Sequence, residues 1–147
     1  MIWPRFLTFP RPADFVIGPH ENPYLLRWWI IPRNRWLNIY LHEFRTSDDD
    51  RALHDHPWIN LSCVLKGKYL EWMPDGEWRI CRPFRPVVRH ADALHRVELI
   101  DGKHVWSLFI TGPVVREWGF ACPKGWKHWK DFVSERDGGN ERGAGCE

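Results

Sequence analysis

The chain has 147 residues and a formal net charge of +2, from 21 lysines and arginines against 19 aspartates and glutamates. This length suits one domain with its own hydrophobic core, and no apolar run approaches the length of a membrane span. The two signs of charge are interspersed, so the chain lacks the basic surface typical of nucleic-acid binding, although arginines and aromatics alternate in LLRWWIIPRNRW. We therefore expect neither nucleic acid nor a membrane as a partner.

Cysteine usage and the N-terminal segment indicate the compartment. The four cysteines are Cys63, Cys81, Cys122 and Cys146, with no C-x-x-C pair among them. Prolines interrupt the first residues, MIWPRFLTFPRP, which therefore lack the continuous apolar core of a signal peptide. We predict a cytoplasmic protein whose cysteines are free thiols.

The predicted elements are short strands separated by Pro, Gly and Asp, with almost no helical periodicity. In chain order they are LLRWWII (25–31), RWLNIYLHEF (35–44), WINLSCVL (58–65), KYLEWM, EWRICR, PVVRH, LHRVELI (94–100), HVWSLFI (104–110) and REWGFAC (116–122). PDG and DGK predict hairpin turns, and eleven tryptophans supply the flat side chains that sheets and barrels favour. The pattern predicts an all-β protein, a closed or sandwiched antiparallel architecture.

The C-terminal part follows Pro123. KGWKHWKDFV predicts a short helix or an extended segment that packs on the barrel, and the Gly-rich, charged stretch SERDGGNERGAGCE predicts a flexible tail. The predicted organisation is a single domain over residues 1–133 followed by a tail over 134–147.

The stretch SDDDRALHDHPW, residues 47–58, carries two histidines two positions apart, His54 and His56. On a strand, positions i and i+2 share a face, and two imidazoles on one face are half of a metal site. His95 is the best third ligand because it too begins a predicted strand. His20, His104 and His128 have loop or surface contexts and are weaker candidates.

Strand parity distinguishes two faces after this histidine pair. The even face continues with Trp58, Asn60, Ser62 and Val64, is the more polar of the two, and is predicted to line a cavity. The possible pocket residues are Asn60, Trp58, Ser62, Tyr40, His42, His90 and Trp106. The odd face is apolar, with Ile59, Leu61, Cys63 and Leu65. Either the N-terminal segment or a second subunit must cover it, and we expect a homodimer.

The histidine spacing resembles the first motif of the cupin superfamily, G-x5-H-x-H-x3-E-x6-G. His54, His56 and the closing Gly67 are in register, whereas Asp48 stands for the leading glycine and Asn60 for the glutamate ligand. The second motif, G-x5-P-x-G-x2-H-x3-N, matches at His95, while its proline, second glycine and asparagine positions are His90, Asp92 and Leu99. The stretches LHDHPW, VLKGKY, HRVEL and LFITGPVVREWGF are also similar to uncharacterised bacterial and phage cupin-like proteins, from about Pro23 to Phe132.

The resemblance implies a small antiparallel jelly roll, a double-stranded β-helix. It also implies one divalent metal ion, Fe, Ni, Mn, Cu or Zn, held by His54, His56 and His95, since three imidazoles suit a first-row divalent metal. Asp55 is expected to face away from that metal and to pair with Arg51 or orient the loop. The catalytic residues stay unknown.

Two functions remain open at this stage. The first is a metal-dependent enzyme of oxygenase or isomerase type acting on a small polar metabolite, since three-histidine cupins occur among thiol dioxygenases. The alternative is a non-enzymatic cupin, either a small-molecule-binding sensor or a structural component. Retention of the three histidines favours the first, and loss of the glutamate and of most of the second motif favours the alternative. The sequence has no nucleophile elbow and no nucleotide-binding loop.

Overall fold

The computed structural model of the protein describes residues 11–18, 21–47, 52–134, 141–142 and 145–146. Within these ranges the chain is almost entirely β-structure, with a short 3-10 turn at Pro74–Gly76 and one helix, α1, at Trp129–Phe132. The strands are β1 (Phe15–Ile17), β2 (Leu25–Trp29), β3 (Asn38–Phe44), β4 (Leu53–His54), β5 (Asn60–Lys66), β6 (Tyr69–Trp72), β7 (Trp78–Cys81), β8 (Val87–Arg89), β9 (Arg96–Leu99), β10 (Val105–Thr111), β11 (Gly119–Cys122), β12 (Gly125–His128), β13 (Val133–Ser134) and β14 (Glu141–Arg142). No helix in this described part is long and apolar enough to cross a bilayer.

The strands form an antiparallel jelly roll. One wall is a six-stranded sheet in the order β1-β2-β3-β10-β5-β8, and it faces a three-stranded sheet, β7-β6-β9. A further sheet, β12-β11-β4, continues the barrel, and β13 pairs with β14. The core cluster joins the first two sheets, because Val64 and Val105 come from the large sheet and Tyr69, Cys81, Val97 and Leu99 from the small one. The predicted all-β jelly-roll fold is confirmed.

Strand β5 has the two faces that its sequence predicts. Asn60, Ser62 and Val64 are buried, whereas Leu61 and Cys63 on the opposite face are only half-buried. Two polar side chains thus point into the barrel from a central strand. Gly67 ends the strand at φ 84°, and a Cβ there would lie 2.9 Å from the carbonyl oxygen of His104. The closing glycine of the motif is therefore required by backbone packing.

The segment after Pro123 combines the two forms that the sequence left open. Its first part is strand β12, paired with β11 from Gly119↔His128 to Cys122↔Gly125. Only the four residues of α1 are helical, and Phe132 of this helix stacks on Phe120 of β11 with ring centroids 3.7 Å apart. The hairpin is close-packed, since a Cβ at Gly119 would lie 2.1 Å from the carbonyl oxygen of Lys127.

The prediction that all four cysteines are thiols is wrong for two of them. Cys122 and Cys146, 24 residues apart, form a disulfide, whereas Cys63 and Cys81 are free. The chain returns to the β11–β12 hairpin, where the amide of Gly145 donates to the carbonyl of Phe132 at 3.1 Å, and this return places the two sulfurs together. Most of the predicted flexible tail (134–147) lies outside the described residues, but its described part is tied down by this disulfide and by β14.

Candidate metal centre

Backbone pairing holds the two histidines of the first motif from both sides. On one side β4 pairs with β11 through Phe120↔His54. On the other, His54 and His95 exchange backbone hydrogen bonds of 2.9 and 3.0 Å. The amide of His56 donates to the carbonyl of Ala91 at 2.9 Å. Backbone hydrogen bonds therefore fix the main chain at all three histidines.

Asp55, between the two histidines, points away from them as parity predicts. Its carboxylate accepts from the Gly119 amide at 2.8 Å and from Trp126 Nε1 at 3.0 Å, and it pairs with Arg116 at 2.8 Å. Asp55 is 2% exposed, so these bonds anchor the segment from His54 to His56, here called the histidine turn, to the β11–β12 hairpin. Arg51, the partner considered from the sequence, lies outside the described residues.

The side chains of His54, His56 and His95 converge on one point. One ring nitrogen from each lies within 4.8 Å of the other two, and the ring centroids are 5.1 Å (His54–His56), 4.8 Å (His54–His95) and 5.1 Å (His56–His95) apart. Metal–nitrogen bonds of about 2.1 Å hold ligand atoms at most about 4 Å apart, so shifts of about 1 Å would bring these nitrogens to bonding distance. The group could therefore hold a metal ion.

The hydrogen bonding of His95 suits a metal ligand. Its Nδ1 lies 2.7 Å from Glu71 Oε1, while Nε2 is buried without a hydrogen-bond partner. Burial lowers the pKa of His95 to about 4, although the hydrogen bond to Glu71 acts in the opposite direction. The imidazole is therefore neutral at pH 7, and Nδ1 donates its proton to Glu71. The lone pair on Nε2 stays available, which is the arrangement a carboxylate gives to metal-binding histidines.

Glu71 is the centre of an ionic cluster that supports this arrangement. Its carboxylate, 0% exposed, contacts Arg89 Nε at 2.5 Å and Arg79 Nε at 2.5 Å in addition to His95. Burial alone would raise the pKa of Glu71, but the hydrogen bonds from His95 and Arg89 outweigh it and hold the pKa well below its usual range. The carboxylate is thus ionised at pH 7. A cleft of about 390 Å³ reaches this cluster, and neither His54 nor His56 lines it.

Glu71, the carboxylate behind His95, was not identified from the sequence. The available signal was parity in KYLEWM, which places Glu71 on the same face as the core residue Tyr69. A carboxylate at an inward position of a strand needs partners, and Arg79, Arg89 and His95 supply them.

His56 has the same kind of free nitrogen. Its Nδ1 is buried and has no hydrogen-bond partner, and its ring stacks against Trp58 with centroids 5.3 Å apart. Burial, followed by repulsion from His95 and His54, lowers the pKa of His56 well below its usual value. A second neutral imidazole therefore faces the same point.

Most of the predicted pocket residues do face the barrel interior. Asn60, Ser62, Tyr40 and His42 are buried on inward positions, and Trp58 packs on His56 and on Phe109. The two exceptions are His90 and Trp106.

Those two residues lie away from the barrel interior. His90 is exposed and begins the turn after β8, where its carbonyl accepts from Ala93. Trp106 points to the outer face of the six-stranded sheet and stacks on Trp28 with centroids 5.4 Å apart, because its neighbour Ser107 occupies the inward position.

Comparison with known proteins gives the fold a name. No family model matches the chain, and no curated protein matches it. Solved structures do match: the DMSP lyase DddQ of Ruegeria pomeroyi DSS-3, with TM-score 0.57 and 13% identity, covers 80% of this chain and 62% of that one. A cupin-like protein of Thermotoga maritima MSB8 has TM-score 0.54 and 12% identity, covering 71% and 80%. The Clostridium difficile EutQ protein has TM-score 0.54 and 11% identity, covering 71% and 81%. This chain has the cupin fold.

Proposed function

We propose that the protein binds one divalent first-row metal ion through His54, His56 and His95, and that it uses this ion to act on a small polar molecule in the barrel interior. The reaction class proposed is that of an oxygenase or an isomerase. The observation that carries the proposal is the convergence of three ring nitrogens within 4.8 Å, with His95 held in the metal-binding tautomer by Glu71.

The chemistry of the ligand set supports a transition metal. Three neutral imidazoles suit Fe, Ni, Cu or Zn better than the hard ions Mg or Ca, which prefer oxygen ligands. Three protein ligands leave positions open for water or substrate. A bound ion would supply Lewis acidity or redox chemistry at those positions. The protein's own contribution is to hold the ligands in place. Glu71 hydrogen-bonds to His95, and Asp55 ties the segment between His54 and His56 to the backbone of Gly119.

Aromatic and polar side chains surround the three histidines on the inner side of the barrel. Trp58 and Phe109 form an aromatic wall beside His56, with their ring centroids 5.6 Å apart. Ser62 and Asn60 are held by Arg89, whose Nη1 donates to Ser62 Oγ at 2.8 Å and to Asn60 Oδ1 at 3.4 Å. In this proposal the hydroxyl and amide groups bind polar groups of the small molecule, and the aromatic rings contact its apolar part.

A non-enzymatic binding protein is the second candidate, and one observation favours it. Asn60 takes the position of the cupin glutamate, and its amide oxygen contacts Arg89. The buried carboxylate beside the cluster, Glu71, is fully engaged by two arginines and His95. No carboxylate among the described residues is thus free to transfer protons at the site. A sensor or storage protein would not need such a proton-transfer group.

Metal binding is tested on tag-free protein by elemental analysis and by melting with added Zn(II), Ni(II) or Fe(II). At free metal about a hundred times Kd we expect about 2.7 kcal/mol of stabilisation, or roughly 5–10 °C in Tm. His54→Ala, His56→Ala and His95→Ala should remove this gain. His90→Ala and His104→Ala are the matched controls, because both residues are exposed, and they should keep it.

Catalysis is tested separately by oxygen uptake of the Fe(II)-loaded protein with a panel of thiols and small acids. Turnover that depends on His95 supports the enzyme. Metal binding with no turnover supports the sensor or storage protein. Equal metal content in wild type and His95→Ala would refute the metal site altogether.

A further inference from the structure

Arg27 is a half-buried cation that forms no ion pair with an acidic side chain in the described part of the chain. It lies on the inward face of β2, opposite His42 of β3, and its Nε donates to His42 Nε2 at 3.0 Å. Its guanidinium carbon lies 4.5 Å from the ring centroid of Tyr40. None of the ion pairs formed by the described residues includes Arg27, and its terminal nitrogens make no hydrogen bond to this part of the chain.

Among the described residues, the strands around Arg27 supply no carboxylate for this cation. The inward positions of β2, β3, β10 and β5 carry aromatic, aliphatic, amide and hydroxyl side chains, without a described Asp or Glu among them. Glu71 is already shared by Arg79, Arg89 and His95. Burial lowers the pKa of Arg27 to about 10, which leaves it charged at pH 7 and in need of a negative partner. The neutral ligand set adds no negative charge either.

Arg27 and the candidate metal centre are connected by one aromatic ring. Phe109 lies with its ring centroid 5.0 Å from that of His42, the residue bound to Arg27, and 6.0 Å from that of His56. A molecule lying along Phe109 would therefore meet the metal ligands at one end and the guanidinium at the other.

We propose that Arg27 is an anion-recognition residue and that the ligand is a small organic carboxylate with a second donor group, such as a hydroxyl, a few bonds away. Its carboxylate binds the terminal N–H groups of Arg27, a fork that matches two carboxylate oxygens, and its second donor points to the three histidines. His42 holds the fork by accepting from Nε. This inference rests on the proposed metal site for the second donor but not for the carboxylate.

The test uses glycolate as the probe and glycolamide, its neutral isostere, as the matched ligand, titrated calorimetrically into the full chain with Zn(II) bound. Glycolate should bind at least about tenfold more tightly than glycolamide, because charge-assisted hydrogen bonds to a guanidinium are the stronger kind. Arg27→Gln should lose that preference while its Zn(II) affinity stays within about twofold of wild type. Arg33→Gln is the control, since Arg33 is exposed and contacts only the Trp29 ring among these groups.

A repeat in EDTA separates this proposal from the metal site. Glycolate binding that persists without metal and disappears in Arg27→Gln supports the anion site even if Zn(II) binding fails. Arg27→Gln with wild-type glycolate affinity, or equal affinity of wild type for glycolate and glycolamide, overturns it. Arg27→Lys, which keeps the charge and loses the fork, should retain weaker binding. If it binds as tightly as wild type, charge alone is responsible and the forked geometry is refuted.

Discussion

Replacing Glu71 by Gln tests whether one buried carboxylate supports both the fold and the metal ligands. Gln keeps the size of the side chain and an oxygen that can accept from His95 Nδ1, but it removes the negative charge. Arg89, whose side chain is 3% exposed, would then lose its ionic partner at 2.5 Å. Arg79 is 42% exposed and can return to water.

The size of the effect follows from burial. Breaking a buried ion pair by neutralising one partner costs about 3–5 kcal/mol, because the other charge stays buried, whereas an exposed pair such as that of Arg79 contributes at most about 1 kcal/mol. We therefore expect Glu71→Gln to lose about 3–5 kcal/mol of unfolding free energy. Loss of a carboxylate behind a metal-binding histidine costs about 10–100-fold in metal affinity, so Zn(II) binding should weaken by that factor.

Equilibrium unfolding in urea with EDTA measures the first effect, and Zn(II) titration at a temperature where the variant is folded measures the second. Glu98→Gln is the matched control. Glu98 lies on the neighbouring strand β9 and accepts from Trp72 Nε1 at 2.9 Å, away from the histidines. It should lose about 1 kcal/mol and keep its metal affinity. Equal stability of the two variants, or wild-type Zn(II) affinity of Glu71→Gln, would refute this role of Glu71.

Three further predictions concern other parts of the molecule. In EDTA, the free energy of unfolding should be full above pH 6.5 and fall by at least about 3 kcal/mol towards pH 4. The pKa of His95 is about 4 in the fold against about 6.5 when unfolded, so the unfolded chain takes up the proton first, and the lowered pKa of His56 adds to the loss. Urea unfolding at pH 7.5 and pH 4 measures this, and equal values would contradict it. Asp55→Asn should cost about 1–3 kcal/mol and weaken Zn(II) binding, since Arg116 loses its charge partner and the histidine turn its anchor; unchanged melting and titration would show that the turn holds without it. The apolar outer face of β5 is predicted to form a homodimer, so Leu61→Lys should give monomers in light scattering, and a monomeric wild type at micromolar concentration would rule the dimer out.

The histidine cluster could be predicted from the sequence because its information is local. The pair His54 and His56 needs only the two-residue period of a strand, and His95 needs only its place in the second motif. The supporting carboxylate could not be predicted in the same way. Whether Glu71 lies behind His95 depends on the register between β6 and β9, Glu71↔Val97, and register is a property of the paired strands, not of either segment alone.

Trp106 shows where parity fails. In HVWSLFI both alternating sets contain apolar residues, so neither set is marked as the inward one. The pairing of Phe109 with Tyr40 and Ser62 decides the face, and it turns Trp106 outward.

The disulfide was missed for another reason. Cys122 and Cys146 have no spacing motif, and only the folded hairpin brings them to a Cα–Cα distance of 5.4 Å.

The contact between Arg89 and Asn60 constrains the order in which this interior can be redesigned or can have diverged. A glutamate at position 60 would restore the glutamate of the first cupin motif in the sequence. In this barrel, however, Arg89 already donates to Asn60 at 3.4 Å, and a carboxylate there would compete with Glu71 for the same guanidinium. The new charge would pair with the arginine before it could reach a metal, and His95 would lose part of its support. A four-ligand site is therefore reached only if Arg89 is replaced first or at the same time, so the two positions behave as one unit.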